Sequence, residues 1–180
     1  MDVDDLVRLI DNVKISAFRL ETLPQYLAPQ EAEELAAWHA GQPRTPRTPK
    51  THEYLAEIQR DVARGIRWYR VHILDQPLTP YLRFELCGYL ANHAAGEEIY
   101  VVDRDTYPDL GDLHEDFWLY DDKILVRMIY SVEGHFLHPE RINDIAPYRQ
   151  ARDTALHHAE PLNDYLTRKN LTPDTLRIIP

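Results

Sequence analysis

The chain has 180 residues, of which 44% are hydrophobic and 28% are charged, and these proportions are typical of a globular domain with its own core. Thirty acidic residues against 20 lysines and arginines give a formal net charge of −10. That balance argues against direct binding to nucleic acid, because phosphate contacts need basic side chains. The single cysteine, Cys87, excludes an internal disulfide framework and a cysteine-based zinc site. Without a signal-like N-terminus or a long apolar run, we expect a cytoplasmic protein with no membrane span.

The first 40 residues predict a small helical element. A short amphipathic stretch and the run Phe18-Arg19-Leu20-Glu21 precede Pro29, which opens a predicted helix through His39 because proline suits a first helical turn. Residues 41–50, here called the proline segment, contain three prolines at intervals of three, and this spacing excludes a helix or a central strand. We predict a solvated linker there; a polyproline contact with a partner is the alternative. The predicted divisions are a helical N-terminal element (1–40), a linker (41–50), a main domain (51–168) and a tail (169–180).

The main domain shows alternating helix and strand patterns. Thr48-Pro49 predicts the start of a helix that ends at Gly65, and a β-branched and aromatic run over 66–74 predicts a strand. Thr79-Pro80 repeats the helix-start signal, Gly96 ends that helix, and a second strand follows over 98–102. Strand, helix and strand in this order form a βαβ unit with parallel strands.

The rest of the domain predicts antiparallel strands and then helices. Strands over 116–120 and 124–130 with a further turn at Glu133-Gly134 indicate a hairpin or meander, and helices follow from Ala146 and from Leu162. The predicted fold class is therefore α/β, with a mixed sheet of roughly four to six strands and helices on its faces. The strand over 124–130 is a candidate edge for pairing with a second copy, which leaves a homo-oligomer open.

Negative charge is concentrated between Glu97 and Asp122, here called the acidic segment, which holds ten acids and one basic residue, Arg104. Three interpretations compete: a solvated loop, a docking surface for a basic partner, and an oxygen-ligand site for Mg²⁺ or Ca²⁺. No EF-hand spacing is present, so no metal is predicted. The candidate binding residues are Asp103, Asp105, Asp109, Asp112, Glu115, Asp116 and Trp118.

Patterns of known catalytic and cofactor sites are largely missing. The chain has two serines and six glycines, without a nucleophile elbow, a P-loop or a dinucleotide-binding turn, so no cofactor is predicted. The remaining catalytic candidates are His114, Asp116 and Asp121. A local basic surface is the alternative role for four arginines that we interpret as partners of the acidic loop, residues 103–116 of the acidic segment: Arg67, Arg70, Arg83 and Arg127.

Several stretches together resemble a known family: Phe18-Arg19-Leu20-Glu21, Arg67-Trp68-Tyr69-Arg70-Val71, Tyr81-Leu82-Arg83-Phe84-Glu85, Ala95-Gly96-Glu97-Glu98-Ile99, Asp116-Phe117-Trp118-Leu119-Tyr120-Asp121 and the helix from Tyr148 to Tyr165. They resemble an actinobacterial family of uncharacterised proteins, a domain of unknown function. Its members are often encoded beside Xre-type helix-turn-helix regulators of the antitoxin-like kind. The resemblance runs from about Phe18 to Tyr165 and implies no catalytic residue.

The order of elements is also similar to one half of a phospholipase D-like fold, degenerate versions of which serve as sensor domains in transcription regulators. The active family carries His-x-Lys-x4-Asp. Here His114 and Asp121 match the ends of that motif, while Asp116 replaces the lysine. A carboxylate at that position repels phosphate, so the resemblance implies that phosphodiester chemistry is lost.

These features favour a non-enzymatic regulatory or interaction protein. It would work with a helix-turn-helix regulator through the acidic loop (103–116) or a pocket at the strand ends, and a small-molecule ligand is a further candidate partner. The alternatives are a hydrolase of the phosphodiesterase or nuclease type, using His114 with Asp116 or Asp121, and a toxin-like effector of a toxin–antitoxin-like pair.

Overall fold

A computed structural model of the chain describes residues 2–10 and 12–177. The strands in this part of the chain are β1 (Ser16–Glu21), β2 (Arg67–Leu74), β3 (Glu98–Asp103), β4 (Phe117–Tyr120), β5 (Ile124–Tyr130), β6 (Phe136–Ile142) and β7 (Glu160–Pro161). The α-helices are α1 (Val3–Ile10), α2 (Ala32–His39), α3 (Glu53–Ala63), α4 (Pro80–Ala95), α5 (Ala146–His158), α6 (Leu162–Arg168) and α7 (Pro173–Arg177). None of these helices is long and apolar enough to cross a membrane.

One mixed sheet contains all these strands in the order β6-β5-β4-β1-β2-β3-β7. β1, β2 and β3 run parallel, with α4 as the crossover between β2 and β3, while β4, β5 and β6 form an antiparallel meander. The predicted α/β class, the βαβ unit and the meander are therefore confirmed. The sheet has seven strands rather than four to six, because β1 and the two-residue β7 also join it.

The helix-end signals explain why α4 lies where the sequence predicts it. The Thr79 hydroxyl accepts a hydrogen bond from the N–H of Leu82 at 3.0 Å, and Gly96 ends the helix with a φ of 111°. The start of α3 differs from the prediction, because the helix begins at Glu53 after His52 and not at Pro49. The predicted edge at 124–130 is also wrong, since β6 pairs with β5 and becomes the outer strand itself.

β1 occupies the centre of the sheet, and this corrects the prediction of a separate helical element over 1–40. It pairs in parallel with β2 on one side and antiparallel with β4 on the other. Phe18 and Leu20 are buried in the core on the α5 side of the sheet. Arg19 and Glu21 therefore point to the opposite side, because alternate residues of a strand face opposite ways. Because charged and apolar residues alternate in β1, the sequence patterns did not predict a central strand there.

The side of the sheet that carries α3 and α4 has a polar band across its middle. Along β2 on this side, Trp68 belongs to one hydrophobic cluster and Leu74 to another, while Arg70 and His72 lie between them. Arg19 and Glu21 continue the band on β1 through the pairing of Arg19 with Arg70 and of Glu21 with His72. The core on this side is thus split by charged residues of two central strands.

The proline segment lies across α4 and is not a solvated linker. Arg44 is buried, with its guanidinium 3.6 Å from the centre of the Phe84 ring and its Nη1 donating to the Phe84 carbonyl at 2.8 Å. The predicted tail also packs on the domain, since α7 contacts α4 and Leu176 is fully buried. Residues 178–180 of that predicted tail lie outside the described residues.

Gly88 in α4 makes room for the proline segment, and we expect Gly88→Ala to destabilise the protein by about 1–3 kcal/mol. A Cβ at this position would lie 2.1 Å from Nη1 of Arg44 and 2.6 Å from Nη2 of Arg47. Arg44 cannot move aside without losing its contacts with Phe84. Urea denaturation measures the change.

The control for this prediction is Ala94→Gly, at an exposed position of the same helix. It measures how much a glycine lowers the stability of α4 where the proline segment makes no contact. In a helix free of such contacts, alanine is more stable than glycine by about 0.5–1 kcal/mol. A stabilising Gly88→Ala substitution would therefore contradict the packing of the proline segment on α4. In an Arg44→Ala background, the Gly88→Ala substitution should lose most of its cost.

Candidate functional site: a polar cavity over the sheet

Five ionisable side chains form a connected group in the polar band, here called the buried charge network: Arg19, Glu21, Arg70, Glu97 and Asp116. Each of them is at most 8% exposed. Arg70 donates from Nε to Glu97 at 2.7 Å and from Nη1 to Glu21 at 2.8 Å. Arg19 donates from Nη2 to Asp116 at 2.8 Å. Charges buried at this depth are tolerated only when they are paired and hydrogen-bonded.

The two arginines set the electrostatics of the network. Burial raises the pKa of Glu21, but the nearby guanidinium groups of Arg70 and Arg19 outweigh it and hold the value at about 2. The Tyr89 hydroxyl also donates to Glu21, at 2.5 Å. Burial raises the pKa of Asp116, although Arg19 acts in the opposite direction. Glu21 is consequently a firmly ionised group throughout the neutral range.

We expect the stability of the protein to fall as the pH is lowered from about 4.5, the ordinary pKa of a glutamate, toward 2. In that range the unfolded chain binds a proton at Glu21 that the folded chain does not bind, so unfolding becomes more favourable. Urea denaturation across this pH range measures the effect. The stability difference between the parent and Glu21→Gln should shrink as the pH falls. Glu98→Gln, at a half-exposed pair with Arg67, is the control, and equal slopes for all three proteins would contradict the prediction.

A cavity of about 1000 Å³ opens above the network. Its floor includes Arg19, Glu21 and Arg70 from the sheet, together with the indole of Trp118. Other parts of the wall come from the proline segment, α2, α3 and α4. Its volume is at the upper end of the range of small-molecule sites, which are about 300–1,000 Å³. We call it the polar cavity.

Several polar atoms of this wall have no partner. Among the described residues, the buried side-chain atoms that line the polar cavity without a hydrogen bond are Arg19 Nη1, Arg47 Nε, His52 Nδ1 and Asn92 Oδ1. A buried polar atom without a partner is costly, and native structures contain few of them. Their concentration around one cavity indicates a place where a bound molecule supplies the missing hydrogen bonds.

Most acids of the acidic segment, by contrast, have partners within the protein. Eight of its ten acids have partners: Glu97 with Arg70, Glu98 with Arg67, Asp103 with Lys169, Asp109 with His158, Glu115 with Arg127, Asp116 with Arg19, Asp121 with the N–H groups of Lys14, Ile15 and Ser16, and Asp122 with Arg152. Within the described residues, only Asp105 and Asp112 of the ten lack such a contact. The predicted binding residues therefore do not form one free acidic surface.

The three catalytic candidates do not come together in one site. His114 is exposed, Asp116 is in the buried charge network, and Asp121 binds backbone N–H groups near the start of β1. Asp116 and Asp121 flank β4, and five residues of an antiparallel strand span roughly 17 Å. His114 and Asp116 both line a smaller cavity of about 250 Å³. In the described part of the chain, no group of three or more His, Cys, Asp or Glu side chains could hold a metal ion.

The sequence interpretation of the arginines was confirmed for Arg127, which pairs with Glu115 of the acidic loop, while Arg67 and Arg70 pair with Glu98 and Glu97, which precede that loop. It missed Arg19 and Glu21 as site residues, because they were not assigned to a strand. A usable signal was present, since both β1 and β2 carry polar residues at alternate positions between apolar ones. Parallel strands covered on both sides cannot expose such residues, so they indicate a site inside the protein.

No curated protein matches the chain significantly. A solved structure that resembles it is described as that of TrmBL2, an archaeal chromatin protein that shows a novel mode of DNA binding. The TM-score is 0.45 and the sequence identity is 10%, over 87% of this chain and 49% of that chain. The protein thus spans about half the length of the TrmBL2 chain.

The expectation that direct nucleic-acid binding is unlikely is corrected here, because it conflicts with this comparison: the similar structure is described as showing a mode of DNA binding, which is said of that protein. The physical reason is that net charge is a sum over the whole chain. The sum of −10 therefore does not say where on the surface the positive side chains lie.

A family model described as a domain of unknown function (DUF6879) matches residues 4–167. The match runs through β1, the proline segment, the βαβ unit and the meander, so it includes the residues of the buried charge network. It confirms the expected membership of an uncharacterised family. The chain belongs to the DUF6879 family.

Proposed function

We propose that this protein is a non-enzymatic regulatory protein that binds a small molecule in the polar cavity. The observation that carries the proposal is a large cavity whose floor consists of buried, charged side chains and whose wall contains unpartnered polar atoms. A molecule bound there contacts both the sheet and the proline segment. It can therefore shift the equilibrium between positions of that segment, provided that it binds one position more tightly.

The chemistry of the wall supports binding more than catalysis. A general acid or base works best when its pKa is near the working pH, and Glu21 has a pKa of about 2. Arg19 and Arg70 are fixed by carboxylates on neighbouring elements. Rigid, pre-paired charges of this kind orient a ligand without exchanging protons with it.

The resemblance to proteins encoded beside Xre-type regulators supplies the rest of this proposal. A helix-turn-helix regulator is the protein with which the chain would work, in the cytoplasm of an actinobacterium, in the setting of a toxin–antitoxin-like pair. The order of strand, helix, strand and hairpin supports the further proposal that the fold is a degenerate phospholipase D-like sensor domain.

The test compares the full chain with a variant whose cavity is blocked. Ala37 lies on the exposed side of α2 and lines the cavity, so Ala37→Trp fills the entrance from a surface position. Native mass spectrometry of the purified protein, followed by thermal denaturation with a mixture of charged and neutral metabolites, identifies bound molecules. We expect a mass shift or a rise in Tm for the parent that Ala37→Trp loses. A rise of equal size in both proteins would place the ligand elsewhere and contradict the proposal.

A further inference from the structure

We propose that the ligand of the polar cavity is a small organic molecule with an oxyanion group, a carboxylate or a phosphate, whose oxygens accept hydrogen bonds from the unpartnered N–H groups of the wall. This inference rests on the proposed function and names the chemical class of the ligand. It depends on the observation that most of the unpartnered polar atoms around the cavity are hydrogen-bond donors and few are acceptors.

The unpartnered atoms are mainly donors. Three of the four are nitrogen atoms, on Arg19, Arg47 and His52. The nitrogen atoms of an arginine can only donate, and the Nδ1 of a histidine donates in one of its two neutral tautomers and in the charged form. Arg19 is 3% exposed, so water does not readily replace a missing acceptor at its Nη1. The two arginine nitrogens therefore require acceptor atoms from the bound molecule, and His52 Nδ1 requires one in the tautomer that carries its proton.

Three carboxylates of the same wall, Glu21, Glu31 and Glu34, already have donors. Glu31 accepts from Arg44 at 2.9 Å, and Glu34 accepts from the N–H of Thr45 at 2.9 Å. Glu21 accepts from Arg70 and from a tyrosine hydroxyl. A cationic ligand would have to compete with these bonds, whereas an oxyanion meets donors that have no partner. The unpartnered donors therefore favour an oxyanion over a cation.

The electrostatics near the proline segment point the same way. Burial and the positive charge of Arg44 both lower the pKa of Arg47. Burial, Arg47 and Arg44 lower the pKa of His52. Nearby glutamates, Glu31, Glu34 and Glu85, act in the opposite direction on Arg47. Arg44, Arg47 and His52 nevertheless lie close enough to disfavour one another's charge, and an oxyanion between them would reduce that repulsion. Charge-assisted hydrogen bonds from arginine to a carboxylate or phosphate are about twice as strong as neutral ones.

The experiment titrates the full chain with probes matched in size and different in charge. Adenosine monophosphate is compared with adenosine, which lacks the phosphate. Inorganic phosphate and citrate then represent the two kinds of oxyanion alone, and spermidine represents a cation. Binding is followed by Tm and by tryptophan fluorescence. Trp118 lines the cavity, while Trp38 and Trp68 are only 1% exposed, so a change in emission reports on the cavity.

We expect adenosine monophosphate to bind at least tenfold more tightly than adenosine, and phosphate or citrate to raise the Tm. Arg47→Gln should weaken this binding at least tenfold. Arg60→Gln, at an exposed arginine of α3 that does not line the cavity, should leave it unchanged. His52→Ala is the second variant and repeats the test if Arg47→Gln does not fold. Binding of citrate without phosphate, or the reverse, supports the inference and identifies the oxyanion.

Equal binding of adenosine and its monophosphate, or preferential binding of spermidine, would overturn the oxyanion inference while leaving a ligand-binding function in place. An unchanged affinity in both Arg47→Gln and His52→Ala would overturn it as well. If no probe of any charge binds and no molecule is found on the purified protein, the proposed function fails together with the inference.

Discussion

Replacing Arg70 with methionine is expected to lower the free energy of unfolding by about 3–5 kcal/mol. The substitution leaves Glu21 and Glu97 buried without the guanidinium that pairs with both of them. It also removes the hydrogen bond that Arg70 donates to the Tyr54 hydroxyl at 2.9 Å. Urea denaturation with linear extrapolation gives the change directly.

Arg67→Met is the matched control, because Arg67 lies on the same strand and pairs with Glu98 at 2.7 Å. Both of those side chains are more than 40% exposed. A surface pair of this kind contributes about 0–1 kcal/mol, so its loss should be small. A small effect at both positions would show that Arg70 is not essential to the buried charge network. Neutralising both carboxylates in the Arg70→Met background should restore part of the lost stability, because it removes the unpaired charges.

Asp116→Asn is the second substitution with a large expected effect, a loss of about 3 kcal/mol of stability. The two carboxylate oxygens of Asp116 accept four hydrogen bonds, from Arg19 at 2.8 Å, from the Tyr26 hydroxyl at 2.6 Å, and from the N–H and hydroxyl of Thr22 at 2.9 and 2.8 Å. An asparagine offers one oxygen and turns an NH₂ group toward two of these donors. The buried Arg19 also loses its closest counter-charge. Denaturation and hydrogen exchange at β1 measure the effect.

The control is Glu115→Gln, one residue earlier in the chain. The Glu115 side chain is 50% exposed and pairs with Arg127, so the expected loss is below about 1 kcal/mol. A normally stable Asp116→Asn protein would contradict the structural role assigned to Asp116. A binding or catalytic role for Asp116, which the sequence analysis considered, would then be the better explanation of its position.

Local signals account for the parts of the fold that the sequence predicted. Thr79, Pro80 and Gly96 fix the ends of α4 within one stretch of chain, and the apolar runs on either side fix β2 and β3. β1 has no such local definition. Its neighbours in the sheet begin at Arg67 and Phe117, so only distant pairing makes it a central strand.

The candidate site was beyond prediction for the same reason. The sequence shows how many acids the acidic segment contains, but not which arginine each one meets. Arg19 stands beside Arg70 in the parallel register of β1 and β2, and beside Trp118 in the antiparallel register with β4. These side-by-side placements, which create the floor of the polar cavity, exist only after three separate parts of the chain have come together.

The central position of β1 also determines the order in which the protein can be completed during synthesis. β1 leaves the ribosome early and can form a half-sheet with β2 and β3, but Asp116 lies 97 residues after Arg19. Until β4 has been made, the outer edge of β1 in that half-sheet is therefore unpaired, and Arg19 on that edge lacks its closest carboxylate. Contacts between such distant residues form slowly, and unpaired edges invite association with other chains. The arrival of the β4–β5 hairpin closes that edge and neutralises the buried arginine in a single step.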